Sequence, residues 1–183
     1  MQVLKFGGTS VANAANILRV IQIVQDAMQK GPTVVVVSAL GGVTDLLLDA
    51  GSMAASGQSA YRDKLSLAHQ RHQDAINDLL PPDARESLQE LVAKAFMELH
   101  ELCHSLFLLA ELTPRSRDRI SHYGEWLSSQ IIAAATIQRG IKCTWIDARE
   151  IIRTDSQFTQ AAVQVEETNA LIRRRITNDS SGT

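Results

Sequence analysis

Residues 33–37, Thr33-Val34-Val35-Val36-Val37, are an unbroken β-branched run, and no other stretch constrains the fold as strongly. Branching at Cβ favours extended backbone, and a continuous apolar run, unlike an alternating one, suits an interior parallel strand covered on both faces. Gly31 and Pro32 precede it and stop a helix whose apolar positions, Val11, Ala14, Leu18, Ile21, Val24 and Met28, step by three or four. Residues 2–6 read as a short buried strand ahead of that helix. Strand, helix and strand at this spacing make a βαβ unit, whose crossover should be right-handed. The expected class is therefore α/β with a mainly parallel sheet, and 183 residues are enough for one ordinary domain.

The first strand ends in Lys5-Phe6-Gly7-Gly8-Thr9-Ser10, so a lysine and two glycines stand where the chain enters the helix at a hydroxyl residue. Glycines let backbone N–H groups approach an anion unobstructed, and a helix start directs its free N–H groups and positive dipole end to the same point. Lys5 adds a mobile point charge. The second strand repeats the layout with Gly41 and Gly42, then Thr44 near the start of a helix whose body runs from 46 to 55, up to Gly57. Two glycine turns at the carboxyl ends of adjacent parallel strands mark the edge where open α/β sheets bind ligands.

From residue 59 to about 113 only helical patterns occur. Leu65, Ala68, His72, Ala75, Ile76 and Leu79 form one stripe, ended by Pro81-Pro82. Leu88, Leu91, Val92, Ala95, Leu99, Leu102, Leu106 and Leu109 form a second, and Asp83 to Glu86 has capping-box spacing ahead of it. Two antiparallel helices are expected, inserted into the α/β order. Thr113-Pro114 caps and starts a further helix that ends at Gly140, and residues 142–146 read as a third strand with Asp147 at its carboxyl end. An amphipathic stretch over 166–176 ends in a polar tail, residues 177–183.

A net charge of -2 without a basic stripe points away from nucleic acid, and the arginine runs at 115–119 and 173–175 read as solvated helix faces. Cys103 and Cys143 are two widely spaced thiols in apolar surroundings, which fits buried free cysteines. His69, His72, His100 and His104 fall at spacings of three and four, but no carboxylate or thiol completes a recognisable ligand set, so no metal site is assigned. No stretch nears the roughly 18 apolar residues that span a bilayer, and no charged leader precedes an apolar core, so a cytoplasmic protein is expected.

Four ordered segments carry a family resemblance: Lys5-Phe6-Gly7-Gly8-Thr9-Ser10-Val11, Ser38-Ala39-Leu40-Gly41-Gly42-Val43-Thr44-Asp45, Ser121-His122-Tyr123-Gly124-Glu125-Trp126-Leu127-Ser128 and Asp147-Ala148-Arg149-Glu150-Ile151-Ile152-Arg153-Thr154-Asp155. Together they resemble the aspartokinases, which have the amino-acid kinase fold, a three-layer αβα arrangement. The resemblance implies phosphorylation of the side-chain carboxylate of L-aspartate by Mg2+-ATP, giving 4-phospho-L-aspartate, the first step toward lysine, threonine and methionine. It assigns Lys5, Phe6, Gly7 and Gly8 to the nucleotide phosphates, with Lys5 catalytic. Ser38 and Thr44 fall to the aspartate side and Glu125 to the substrate ammonium. Bulky Tyr123, Trp126 and Leu127 beside Glu125 lead us to expect a partly buried, paired carboxylate, whereas Arg149 and Arg153 read as structural ion-pair formers.

Residues 1–183 correspond on this resemblance to the N-terminal part of a catalytic domain, carrying the helical insertion. A Gly-x-x-Gly-Ser-Asp type motif, the nucleotide-gripping half and the regulatory domains of the family are missing from the sequence. The expected role is thus an inactive fragment with the amino-acid site, homo-oligomeric in its full-length form, and resembling the kinase part of fused aspartokinase and homoserine dehydrogenase proteins. One rival is another amino-acid kinase, such as one acting on acetylglutamate, against which Thr9-Ser10-Val11 and Gly124-Glu125 argue. A second is a non-catalytic binding or assembly module, which an exposed apolar patch on the outer face of 59–113 would favour.

Overall fold

The computed structural model describes residues 1–180, with side chains as far as Ile176, and divides into two compact units, Met1–Cys143 and Thr144–Thr183. In the first, β1 (Gln2–Phe6) and β2 (Thr33–Val37) pair in parallel, Gln2 opposite Thr33 through Phe6 opposite Val37. Between them runs α1 (Ala14–Met28), so the βαβ unit is present. α2 (Val43–Ala55), α3 (Tyr61–Leu79), α4 (Glu86–Leu109) and α5 (Pro114–Gln138) follow and pack mutually. One apolar core joins Ile17, Leu47, Leu65, Leu99 and Leu127 and takes in Leu4, Phe6, Val35 and Val37 from the strands.

The strands are half-covered, contrary to the expectation from the valine run. Side chains alternate across a strand, so Leu4, Phe6, Val35 and Val37 face the core while Val3 and Val36 point away, 64% and 47% exposed. Residues 142–146 are not a third strand: they form no regular element and join no ladder among the described residues, whose sheet has two strands. β-branching favours extension, but a strand exists only where a second backbone takes up its N–H and C=O groups.

Helix α1 starts later than the pattern implied. Asn13 is its N-cap, accepting from the Asn16 N–H at 3.0 Å, so residues 7–13 form a separate turn and no helix opens at Thr9 or Ser10. Its buried face is Ile17, Val20, Ile21 and Val24, leaving Leu18 and Met28 partly in water. The capping box before α4 does not form either. Pro82–Ala84 closes a 3-10 turn that leaves Arg85 as N-cap, and the Arg85 guanidinium instead donates to the Leu80 and Asn77 carbonyls at the end of α3. Thr113 caps α5 as expected, accepting from the Ser116 N–H at 3.1 Å with Pro114 at the first helical position. The outer face of the α3 and α4 pair mixes exposed Leu67, Met97, Leu108 and Leu109 with acidic and polar residues, so the α4 stripe loses Leu109 to solvent.

The second unit holds α6 (Ala148–Ile151), an antiparallel bridge between Thr154 and Val163, and α7 (Val165–Ser180). Asp147 caps α6 and pairs with Arg149 at 2.5 Å, and Arg153 meets Glu167 at 3.6 Å. α7 runs four residues past the expected end at Ile176, through part of the polar tail, and residues 181–183 lie outside the described residues.

Two backbone crossings set the geometry at the carboxyl end of the sheet. A Cβ on Gly41 would stand 2.7 Å from the Ala12 Cβ, and one on Gly124 would stand 2.9 Å from the Ala39 Cβ. The neighbouring atoms are attached to backbone, so a side chain here would require the main chain to move. Gly124→Ala should therefore cost about 1–3 kcal/mol despite alanine's better helix propensity, and Ala39→Gly in the same molecule should recover part of it. Urea unfolding checks this, and a stabilised Gly124→Ala would show that the crossing has room for a methyl group.

Burial also makes the α3 and α4 pair sensitive to acid. His72 has no exposed surface, hydrogen-bonds the Ala68 carbonyl at 2.7 Å through Nδ1, and packs edge-on to Phe96, while its Nε2 is buried without a partner. Desolvation lowers its pKa to about 4, and burial lowers His69 and His100 as well. A histidine that titrates near 6.5 when unfolded and near 4 when folded binds more protons unfolded, so its contribution is complete above the higher value and is lost as pH falls toward the lower one. Between about pH 7 and pH 5 the loss should be about 2 kcal/mol, and His72→Phe should flatten that part of a pH series of denaturation curves.

Candidate functional site

Both glycine turns sit at the same end of the sheet, joined by the Ser38 N–H donating to the Phe6 carbonyl at 3.1 Å. In the first, the Gly7 carbonyl accepts from the Ser10 N–H at 2.9 Å and the Val11 N–H at 3.3 Å, which folds residues 7–11 into a tight cup. The Asn16 side chain holds the rim by donating to the Thr9 carbonyl at 2.9 Å. The N–H groups of Gly7 and Gly8 have no acceptor among the described residues, so they remain available to an anion.

Lys5 and Ser38 flank this cup from adjacent strands. The Lys5 amine lies 3.8 Å from where a Cβ on Gly7 would stand, and the Ser38 hydroxyl lies 3.8 Å from the corresponding point on Gly8. The Ala39 carbonyl closes on Gly8 at 3.6 Å by the same measure. A cation stands beside Gly7 and a hydroxyl beside Gly8, with no side chain on either glycine and no acceptor on either N–H among the described residues. That set suits a phosphate or a carboxylate. Phe6 contributes backbone: its ring is half-buried against the core and its carbonyl ties the turns together.

The remaining sequence candidates come from the start of α2 and the middle of α5. Thr44 is half-buried in the first turn of α2. Glu125 follows Gly124 on α5 and is exposed, which corrects the expectation of a partly buried, paired carboxylate. Gly124 and Ser128 occupy the face that meets the Ser38-Ala39 turn; Glu125, about 100° around the helix, is carried past it toward solvent. Tyr123, the bulky neighbour on one side, turns away and donates to Glu98 at 2.7 Å.

Sequence reasoning missed four residues that shape this region. Asn13 and Asn16 order the first turn; the signal was an asparagine directly ahead of an apolar-periodic run. The Arg71 guanidinium on α3 donates to the Gly41 carbonyl, a contact that helix periodicity cannot reveal. Ser128, fully buried on α5, donates to the Ser38 carbonyl at 2.6 Å. A shallow cavity of about 170 Å³ beside Arg71, Asn13, Asp74 and Asp78 is not lined by Lys5, Gly7, Gly8 or Ser38. The cup is the candidate site, because a lysine, a hydroxyl and unpartnered amides suit an anion and the cavity's mixed charges do not.

Among the described residues no group of three or more His, Cys, Asp or Glu could hold a metal ion, and no helix is long and apolar enough to cross a membrane. Cys103 is buried and free with its thiol pushed up to about 11 by desolvation, and half-buried Cys143 is raised for the same reason, so neither is a poised nucleophile.

With the geometry in hand, comparison with known proteins gives consistent answers. The chain is 32% identical to aspartokinase 1 of Arabidopsis thaliana, a chloroplastic protein, over 97% of its own length and 30% of that protein's. It is 30% identical to the chloroplastic bifunctional aspartokinase/homoserine dehydrogenase 1 of the same plant, over 88% of its length and 19% of that protein's. The structure superposes on E. coli aspartokinase III in complex with aspartate and ADP with a TM-score of 0.83 at 25% identity, covering 96% of this chain and 37% of that one. The chain therefore spans about a third or less of the length of these relatives. Residues 1–179 match the description of the amino acid kinase family, and the chain belongs to that family.

Proposed function

We propose that this chain carries the phosphate turn and the amino-acid side of an aspartokinase site, for transfer of the ATP γ-phosphoryl group to the side-chain carboxylate of L-aspartate. The observation that carries the reading is the placement of the Lys5 amine beside Gly7 and of the Ser38 hydroxyl beside Gly8 in the open turn. The aspartokinase relatives, and the neighbour whose structure holds aspartate and ADP, supply the substrate class. The product is 4-phospho-L-aspartate, on the route to lysine, threonine and methionine. A homo-oligomeric full-length enzyme and a cytoplasmic location belong to the same proposal.

In this reading a carboxylate oxygen of aspartate forms a bond to the γ-phosphorus while the bond to the β,γ-bridging oxygen breaks, and ADP leaves. An ionised carboxylate needs no general base. Catalysis is then alignment plus neutralisation of charge. Lys5 and the Gly7 and Gly8 amides bear on the phosphoryl oxygens, Ser38 and Thr44 donate to the aspartate carboxylate, and exposed Glu125 receives the ammonium from solvent. The Mg2+ that accompanies ATP finds no carboxylate set among the described residues, and no step here runs through it.

In a complete aspartokinase carrying this segment, Lys5→Ala should lower kcat at least about a hundredfold with little change in the aspartate KM, because its charge acts mainly on the moving phosphoryl group. Glu125→Gln should do the reverse, raising the aspartate KM about tenfold and leaving that of ATP nearly unchanged. Steady-state kinetics on both variants decide it: a Lys5→Ala turnover within a few fold of wild type sinks the assignment.

The 183-residue chain alone offers a nucleotide little more than the lysine and the glycine cup, too few contacts to offset the entropy lost on binding. It should show no aspartate-dependent ATP turnover in a coupled assay and only weak anion binding by calorimetry. Tight ATP binding by the purified chain would place the nucleotide elsewhere on it.

A further inference from the structure

The proposed site has two substrate-facing groups on different elements, Ser38 at the end of β2 and Glu125 on α5, and something must set the distance between them. Packing alone leaves a helix free to slide or rotate slightly. A directional bond at the contact removes that freedom. The Ser128 hydroxyl makes such a bond: it has no exposed surface, and it lies 2.6 Å from the Ser38 carbonyl and 3.2 Å from the Glu125 carbonyl. One proton serves two acceptors, and the shorter contact falls at the strong end of the O–H···O range, so Ser38 receives it.

We infer that Ser128 is a positioning residue that sets the Ser38 hydroxyl against Glu125 and so fixes the span across which an amino-acid substrate is held; this rests on the function proposed above. Three features converge on it. Holding the Ser38 carbonyl holds the Ser38-Ala39 peptide plane, and with it the Ser38 Cα from which the hydroxyl beside Gly8 projects. Ser128 shares a helix face with Gly124, whose missing side chain brings α5 against Ala39, so close approach and directional bond act on the same turn. The hydroxyl also touches the Glu125 carbonyl, so Glu125 and Ser38 meet through one atom.

The test is a double-mutant cycle in a complete aspartokinase carrying this segment. S128A should raise the aspartate KM about tenfold while the ATP KM stays within about twofold, since only the amino-acid span is disturbed. In an S38A background the same change should add less than about twofold, because Ser128 acts through Ser38. S128T, which keeps the hydroxyl, should restore most of the affinity, and should S128A not fold, S128T and the weak donor S128C carry the same comparison. Equal losses for aspartate and ATP, or full additivity with S38A, would make Ser128 a structural residue and overturn the inference. If S38A and E125Q themselves leave the aspartate KM unchanged, the proposed function fails instead, and the inference falls with it.

Discussion

Everything at the carboxyl end of the sheet in the larger unit depends on backbone crowding. The first glycine turn, the second glycine turn and helix α5 meet with no room for a Cβ at either crossing: Gly41 lies against Ala12 and Gly124 against Ala39. Attractive contact between so few atoms is small, yet the repulsion on adding one atom is steep. Steric exclusion therefore holds the three segments in register more tightly than any single attraction could. Gly41 and Gly124 are glycine because main chains touch there.

Polar groups then fix what crowding brings together. The Phe6 carbonyl receives the Ser38 N–H, the Ser38 carbonyl receives the Ser128 hydroxyl, and the Gly41 carbonyl receives the Arg71 guanidinium. Each acceptor is a backbone carbonyl at a strand end or turn, a group that burial would penalise if left alone. Through Arg71 and Arg85 the α3 and α4 pair is tied to the turns and to itself, so these helices buttress the site as well as adding bulk. Their acid-sensitive element, His72, sits inside that buttress.

How much of this could be read in advance differs by element. The βαβ unit, the helical pair and the Thr113-Pro114 start of α5 follow from periodicity and local chemistry, and the structure contains them. The adjacency of the two glycine turns was legible because both end adjacent parallel strands. The start of α1 was not, because a capping asparagine thirteen residues in competes with hydroxyls at Thr9 and Ser10 that look equally suitable. Glu125 misled for a related reason: bulky neighbours in sequence lie on other faces of a helix.

Sequence by itself determined the α/β class, the lysine and glycine turn at the end of the first strand and the helical stripes, since each depends on residues within a turn or two of one another. Tertiary structure alone decided that residues 142–146 join no ladder, that Val36 faces water, and that Ser128 and Arg71 reach the turns. Those outcomes hang on which backbone lies across from which, at separations of 30 and 90 residues for the two turn contacts. Local propensity carries no information over that range; only the close crossings of packed chains do.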